Sequence, residues 1–388
     1  MALVFASLAI AQVSAQSGSP QKLPKPQELD RDVQYIRDPA SGEIRTLTKG
    51  ATPAPSGPRK DPAASYTFRS QVTLIAAACS AVSAGDAPLS GLTISDFRLA
   101  SDGVPQRLSH LDASTEPAHI ALILDASPSE ARSIEEMKAA ASALSAELSP
   151  QDEVAVVSFA GHTHLLLPFS ADRQLMEKAL SQVDLMRSLD ETGSNIYSSV
   201  YLAALRLFSG SHVPGGRKAI ILLTDGQDSG LKLTWDPASM YPPEAGGDWL
   251  TFEDMVRQLS SAGVEAFAIS TENRPDRMTA DWLSAQRGAT LISRQSRRIG
   301  VPAYTVYLAE LVRRVGGDLY FLREIGTLGD AYRRIAARLR TEYLLGFYPD
   351  DAAARAGWHN LTIDFSDAAA HRDAHLDCRP SYYVPATH

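Results

Sequence analysis

The chain has 388 residues, 44% hydrophobic and 21% charged, the make-up of a soluble globular protein with room for two or three domains. A formal net charge of −8, without a Lys/Arg stripe, argues against a nucleic-acid footprint and favours neutral, cationic or metal-bridged partners. No internal stretch approaches the roughly 18 apolar residues of a membrane-spanning helix.

Residues 1–15 read as an export signal. Met1 to Ala11 is short and apolar, and Val13-Ser14-Ala15 has the small residues of a cleavage site, although the usual basic start is missing. This predicts a secreted or periplasmic protein, and no Cys follows the apolar run to carry a lipid anchor. Residues 16–63 are Pro-rich and predict a linker. Within them, Val33 to Ile36 and Glu43 to Arg45 flank the turn residues Asp38-Pro39-Ala40-Ser41-Gly42, a short hairpin that would be marginal alone. Residues 64–114 have β texture, with a strand starting at Val72, another from Leu92 to Leu99, and turn chemistry at Ala84 to Pro88 and Ser101 to Val104. They form the first part of a small antiparallel unit.

An alternation of strands and helices begins at His119, so 115–341 predict an α/β domain with a doubly wound, mostly parallel sheet. His119 to Leu124 reads as a fully buried strand. Ile134, Met137, Ala141, Leu144 and Leu148 then recur at helical spacing. Further buried strands are expected at Glu153 to Phe159, Lys218 to Thr224 and Val264 to Ser270. Helices are expected over 172–186, 196–208, 252–261, 304–315 and 328–340. Residues 342–388 return to β, and pairing with 64–114 is expected because chain termini often lie close together. Cys79 and Cys378 then share one small domain, which makes a bridge reasonable, with two unrelated free thiols as the alternative.

The chemistry gathers at the strand ends. Asp125-Ala126-Ser127-Pro128-Ser129 follows the first buried strand, at the position where open α/β sheets bind ligands. A D-x-S-x-S cluster offers hard oxygen ligands of the type that magnesium, manganese or calcium prefers. Taken alone, Asp125, Ser127 or Ser129 would as readily cap the next helix. Two more loops add oxygen, Ser194 in Thr192-Gly193-Ser194-Asn195 and Asp225 in Asp225-Gly226-Gln227-Asp228. If the three loops converge, a divalent ion is held by oxygen alone and accepts a partner's Asp or Glu as its last ligand. Glu130 is expected to favour the helix N-terminus, or to swing in as an intrinsic ligand. Asp228 is expected to solvate its loop. His162 and His164 alternate on one face if extended, a transition-metal pair that lacks a third ligand.

This order of residues resembles the von Willebrand factor type A domain with its metal-ion-dependent adhesion site. The family pattern is D-x-S-x-S, then a Thr in a Gly-rich loop, then an Asp after a later buried strand. The gaps of roughly 65 and 30 residues between the three elements match as well. The flanking Leu89-Ser90-Gly91-Leu92-Thr93-Ile94-Ser95-Asp96-Phe97 and Tyr343-Leu344-Leu345-Gly346-Phe347-Tyr348-Pro349 are similar to those of an exported bacterial group of this family. The resemblance thus runs from about Tyr66 to Tyr383. It implies a Rossmann-like A domain that holds Mg2+, Mn2+ or Ca2+ through Asp125, Ser127, Ser129, Ser194 and Asp225. It also implies a protein ligand supplying an acidic side chain, and no catalysis. Two positions depart from the pattern. Pro128 stands where Gly is common and removes an N–H, and Ser194 replaces Thr but keeps the hydroxyl. The alternatives are an interaction module with a degenerate, metal-free site, and a metal-assisted hydrolase. The latter needs a general base, for which only Glu130 and Asp228 stand near. Serine-hydrolase, nucleotide, dinucleotide and H-E-x-x-H zinc motifs are all missing.

Overall fold

The structure, a computed structural model, describes residues 22–39, 42–48, 74–83, 89–113, 117–183, 193–208, 216–228, 250–271, 303–321, 328–340, 342–350 and 355–384. The expected export signal lies outside the described residues.

The segment read as a linker contains built structure: β1 (Gln27–Glu28) and a hairpin of β2 (Val33–Arg37) and β3 (Ile44–Thr48). Packing elsewhere in the chain rescues a hairpin too short to stand alone. Arg37 places its two guanidinium nitrogens 3.1 and 2.7 Å from the carboxylate of Asp254, and Tyr35 meets the edge of Tyr201. The first β unit follows as β4 (Ile75–Ser83), β5 (Phe97–Ser101), β6 (Val104–Gln106) and β7 (Leu108–Ala113).

The α/β domain runs through β8 (Ala118–Asp125), α1 (Ile134–Glu147), β9 (Glu153–Phe159), β10 (Thr163–Ser170), α2 (Arg173–Leu180) and α3 (Ile196–Leu207). It continues through β11 (Arg217–Thr224), α4 (Phe252–Ala262), β12 (Glu265–Ser270), α5 (Ala303–Val315), β13 (Leu319–Phe321) and α6 (Leu328–Arg340). Its seven strands lie in the order β1-β10-β9-β8-β11-β12-β13. The five from β9 to β13 in that order are parallel, and β10 and β1 close one edge antiparallel. Buried on both faces, the middles of β8 (Ile120 to Leu124) and β11 (Ala219 to Leu223) take apolar side chains, which explains their continuous apolar runs. Helices α3, α4 and α5 cover the face that carries Ile123 and Leu222, and α1, α2 and α6 cover the face that carries Leu124 and Leu223. The chain leaves β8 for β9 on one side and later returns to β11 on the other. The carboxyl ends of β8 and β11 therefore flank the topological switch point.

The chain closes with β14 (Glu342–Phe347), β15 (Gly357–Phe365), β16 (Ala374–Cys378) and β17 (Ser381–Val384). As expected, the two flanks pair with each other. They build two four-stranded sheets, β16-β4-β14-β7 and β17-β15-β5-β6, around a core that includes Phe97, Tyr343, Phe347, Ile363 and Phe365. Residues 359 to 365 of β15 alternate buried and exposed, the pattern of a strand with one dry face. Cys79 and Cys378 stand opposite each other on β4 and β16 and are bridged.

The sandwich is fastened to the α/β domain by charge and aromatic contacts. Trp358 of β15 donates its indole N–H to Glu253 of α4, and Arg314 of α5 lies 4.4 Å over the Trp358 ring. The same Arg314 holds both oxygens of Glu253, at 2.6 and 2.9 Å. No helix among the described residues is long and apolar enough to cross a membrane.

Candidate functional site

Asp125 is the last residue of β8. Strand parity sets its direction, because it follows Ala121 and Ile123 on the face covered by α3. The side chain is fully buried. Its Oδ1 accepts the Ser127 N–H at 2.9 Å, and its Oδ2 accepts the Thr224 hydroxyl at 2.5 Å. Burial pushes the Asp125 carboxyl up to about 7; the hydroxyl donors oppose that rise, and the negative charge of Asp225 adds to it.

The loop after Asp125 turns at once into a short 3-10 segment, Pro128–Arg132, with Ser127 as its extended N-cap. Pro128 is its first residue, where an N–H would have no helical partner and the fixed φ suits the turn. The departure from the family pattern is thus absorbed by the local geometry. Ser127 and Ser129 keep their hydroxyls 3.0 Å apart, Ser127 buried and Ser129 exposed.

Ser194 arrives from the neighbouring loop. Asn195 anchors that loop to the tip of the β9–β10 hairpin, with its N–H on the Ala160 carbonyl at 2.9 Å and its side-chain amide on the Gly161 carbonyl. The Ser194 hydroxyl then lies 3.5 Å from Asp125 Oδ2. Asp225 follows β11, its oxygens accepting the backbone N–H of Gln227 at 2.8 Å and the side-chain amide of Gln227 at 2.9 Å. Gly226 is required here. Its φ of +86° is left-handed, and a Cβ would meet Leu308 Cδ1 at 2.8 Å.

Asp125, Ser127, Ser129, Ser194 and Asp225 thus occupy three loops that meet at the switch point. Glu130 stands in the first turn of the 3-10 segment, the helix N-terminus at which it was expected, and its side chain does more than favour that end. It is buried in the 3-10 turn, and its Oε1 accepts the Thr271 hydroxyl at 2.5 Å, at the end of β12. Its Oε2 is buried without a hydrogen-bond partner among the described residues. Burial raises its pKa, with the charge of Asp225 adding to the effect. Asp228 does more than solvate its loop, since it accepts the Tyr197 N–H at 3.2 Å in the first turn of α3. Among the described residues no Lys, Arg or His pairs with Asp125, Glu130 or Asp225. Three buried carboxyls with no cation partner among the described residues, joined by three hydroxyls, make a donor set that suits a hard divalent ion.

Thr224 and Thr271 escaped sequence reasoning. The signal for Thr224 was strand parity, since it continues the Ile220 and Leu222 face just as Asp125 continues that of Ile123. Using it required the register between β8 and β11, which the sequence does not state.

Residues 119–287 match the family model described as von Willebrand factor type A domain. A curated protein of Mycolicibacterium paratuberculosis, named UPF0353 protein, is 23% identical over 252 residues, covering 63% of this chain. The chain spans 66% of that relative's length, slightly under two thirds. Among solved structures, the chain is similar to an aerotolerance-related membrane protein from Bacteroides fragilis. That match has 20% identity and a TM-score of 0.39, and covers 57% of this chain and 98% of the other. It is also similar to a von Willebrand factor type A protein from Catenulispora acidiphila. There the identity is 12% and the TM-score 0.39, over 82% of this chain and 74% of the other.

Proposed function

Since the chain carries a von Willebrand factor type A domain, we propose that it is an exported interaction protein that engages a protein partner through a divalent cation. Asp125, Ser127, Ser129, Ser194 and Asp225 hold the ion, Mg2+ or else Mn2+ or Ca2+, and the partner supplies a further acidic side chain. The observation that carries this reading is the convergence of these hydroxyls and carboxylates on a fully buried Asp125 that has no protein cation beside it among the described residues. When bound, the ion supplies a positive centre for an anionic ligand. The chain's own part is to hold the carboxylates in place, with the Thr224 hydroxyl and the Gln227 amides as second partners. Export is supported by the apolar start of the sequence and by the Cys79–Cys378 bridge, a bond that persists in oxidising compartments.

A binding role is favoured over hydrolysis because, of the two carboxylates that might act as a base, Asp228 is engaged and Glu130 is buried from solvent with one of its oxygens engaged. Glu130 holds the Thr271 hydroxyl, and Asp228 holds the Tyr197 amide. Calorimetric titration of magnesium and manganese into the native protein and into Asp125→Ala tests the ion site. Binding lost in the variant supports it, and equal binding, or none in either, overturns it. Partner capture repeated with a chelator tests the function. Capture that survives chelation would replace this reading with a metal-free interaction module.

A further inference from the structure

A second cluster of ligating side chains lies beyond the tip of the β9–β10 hairpin, where the amino-terminal arm joins the sheet. The arm is pinned by Leu29, whose N–H donates to the Thr163 carbonyl at 2.7 Å and whose side chain is buried in the core. Thr163 is buried too, its hydroxyl 2.8 Å from that of Ser199. Beside the buried Leu29, Glu28 and Asp30 are partly exposed, and beside the buried Thr163, His162 is exposed and His164 partly so. In the pairing of β1 with β10, Glu28 stands directly opposite His164.

Three of these groups converge. His162 Nδ1 is 3.0 Å from Asp30 Oδ2 and 3.8 Å from Glu28 Oε1, and one ligand atom from each residue lies within 4.8 Å of the other two. Ligands held about 2.1 Å from one ion are separated by about 3–4 Å, so small side-chain adjustments would bring all three onto a metal. Asp30 is already oriented, because its other oxygen accepts the Thr163 N–H at 3.2 Å. One imidazole nitrogen with two carboxylate oxygens is a donor set for zinc and its neighbours in the first transition row. Magnesium, by contrast, prefers oxygen alone.

We propose that Glu28, Asp30 and His162 bind a zinc-class ion that clamps the amino-terminal arm to the β9–β10 hairpin, leaving a coordination position open to water or a further ligand. The site is separate from the oxygen-only cluster at Asp125 and does not depend on that reading.

The test is calorimetric titration of zinc chloride into the untagged full-length protein carrying Asp125→Ala, which removes the other cluster from the measurement. One zinc per chain is expected. Adding His162→Gln or Asp30→Asn should weaken it by about tenfold or more. Excess magnesium should not compete. Both substitutions are isosteric or nearly so and lie at exposed or partly exposed positions, and far-ultraviolet circular dichroism checks that each variant is folded. Failure of the Asp125→Ala protein to bind zinc, or zinc affinity indifferent to His162→Gln, would overturn the proposal.

Discussion

Thr224 donates its hydroxyl to Oδ2 of Asp125 at 2.5 Å, joining the ends of two neighbouring parallel strands. The contact holds the central carboxylate of the candidate ion site from behind, while Gly226 donates its N–H to the same hydroxyl at 3.0 Å. Thr224→Val keeps the shape and removes the donor. We expect affinity for magnesium or manganese to fall about tenfold with the fold intact, measured by calorimetry beside a circular dichroism control.

The buried Asp125 also makes stability depend on pH. With its folded pKa raised to about 7, the folded chain keeps a proton that the unfolded chain releases near pH 4. This contribution is fully present below about pH 4 and is lost as pH rises through about 7. In the presence of a chelator, the melting temperature should therefore fall across that window, and Asp125→Asn should flatten the slope. Metal binding near pH 6 should release about one proton, read from calorimetry in buffers of different ionisation enthalpy. A melting temperature in chelator that rises from pH 5 to 7, or that Asp125→Asn leaves equally steep, would contradict this account.

Pro128 begins a 3-10 turn that it fits, so it should not impair the site. Pro128→Gly should leave metal affinity within about threefold of the native value. It should cost about 0.5–1 kcal/mol of stability, through the greater freedom of the unfolded chain. A large gain in affinity would show that the proline distorts the loop.

The amino-terminal hairpin is held by the Arg37 and Asp254 pair. Burial opposes ionisation of Asp254, but hydrogen bonds from Arg37 and Thr251 and the charge of Arg257 outweigh it and hold the carboxyl below its usual range. A depressed folded pKa means stability that is present above about pH 4 and lost as pH falls through the folded value. Arg37→Ala leaves Arg257 in place and should cost about 2 kcal/mol at neutral pH. It should also shallow the acid limb of a stability profile, measured by urea unfolding.

The Cys79–Cys378 bridge closes a loop of 299 residues of sequence separation within the sandwich. Replacing both cysteines by Ala should cost about 2–5 kcal/mol. Denaturant unfolding of the double variant, against the native protein with and without reductant, measures the loss.

Much of this architecture was legible in the chain. Continuous apolar runs such as Ile120 to Leu124, short and bounded by polar residues, suit strands buried on both faces, and their alternation with helical periodicity points the middle of the chain to a parallel sheet. Asp125, Ser127, Ser129 and Asp225 were readable as oxygen donors following buried strands, and Ser194 as one in a loop that enters a helix. The flanks were readable as β segments that need each other, since neither is long enough to bury a face alone. The Pro-rich arm was misjudged in part. Composition reports the weakness of a short hairpin by itself, and the surfaces that hold it, Asp254 and Tyr201, lie far along the chain.

The opposition of Thr224 to Asp125, of Thr271 to Glu130, and of Asp30 to His162 depends on strand register and on which loops meet over the sheet edge. Those contacts join residues 99, 141 and 132 positions apart. Local sequence sets which face each side chain takes, through the two-residue period of extended chain. Which residue it meets there is decided only when the strands align, because register is a property of the packed sheet and of no single strand.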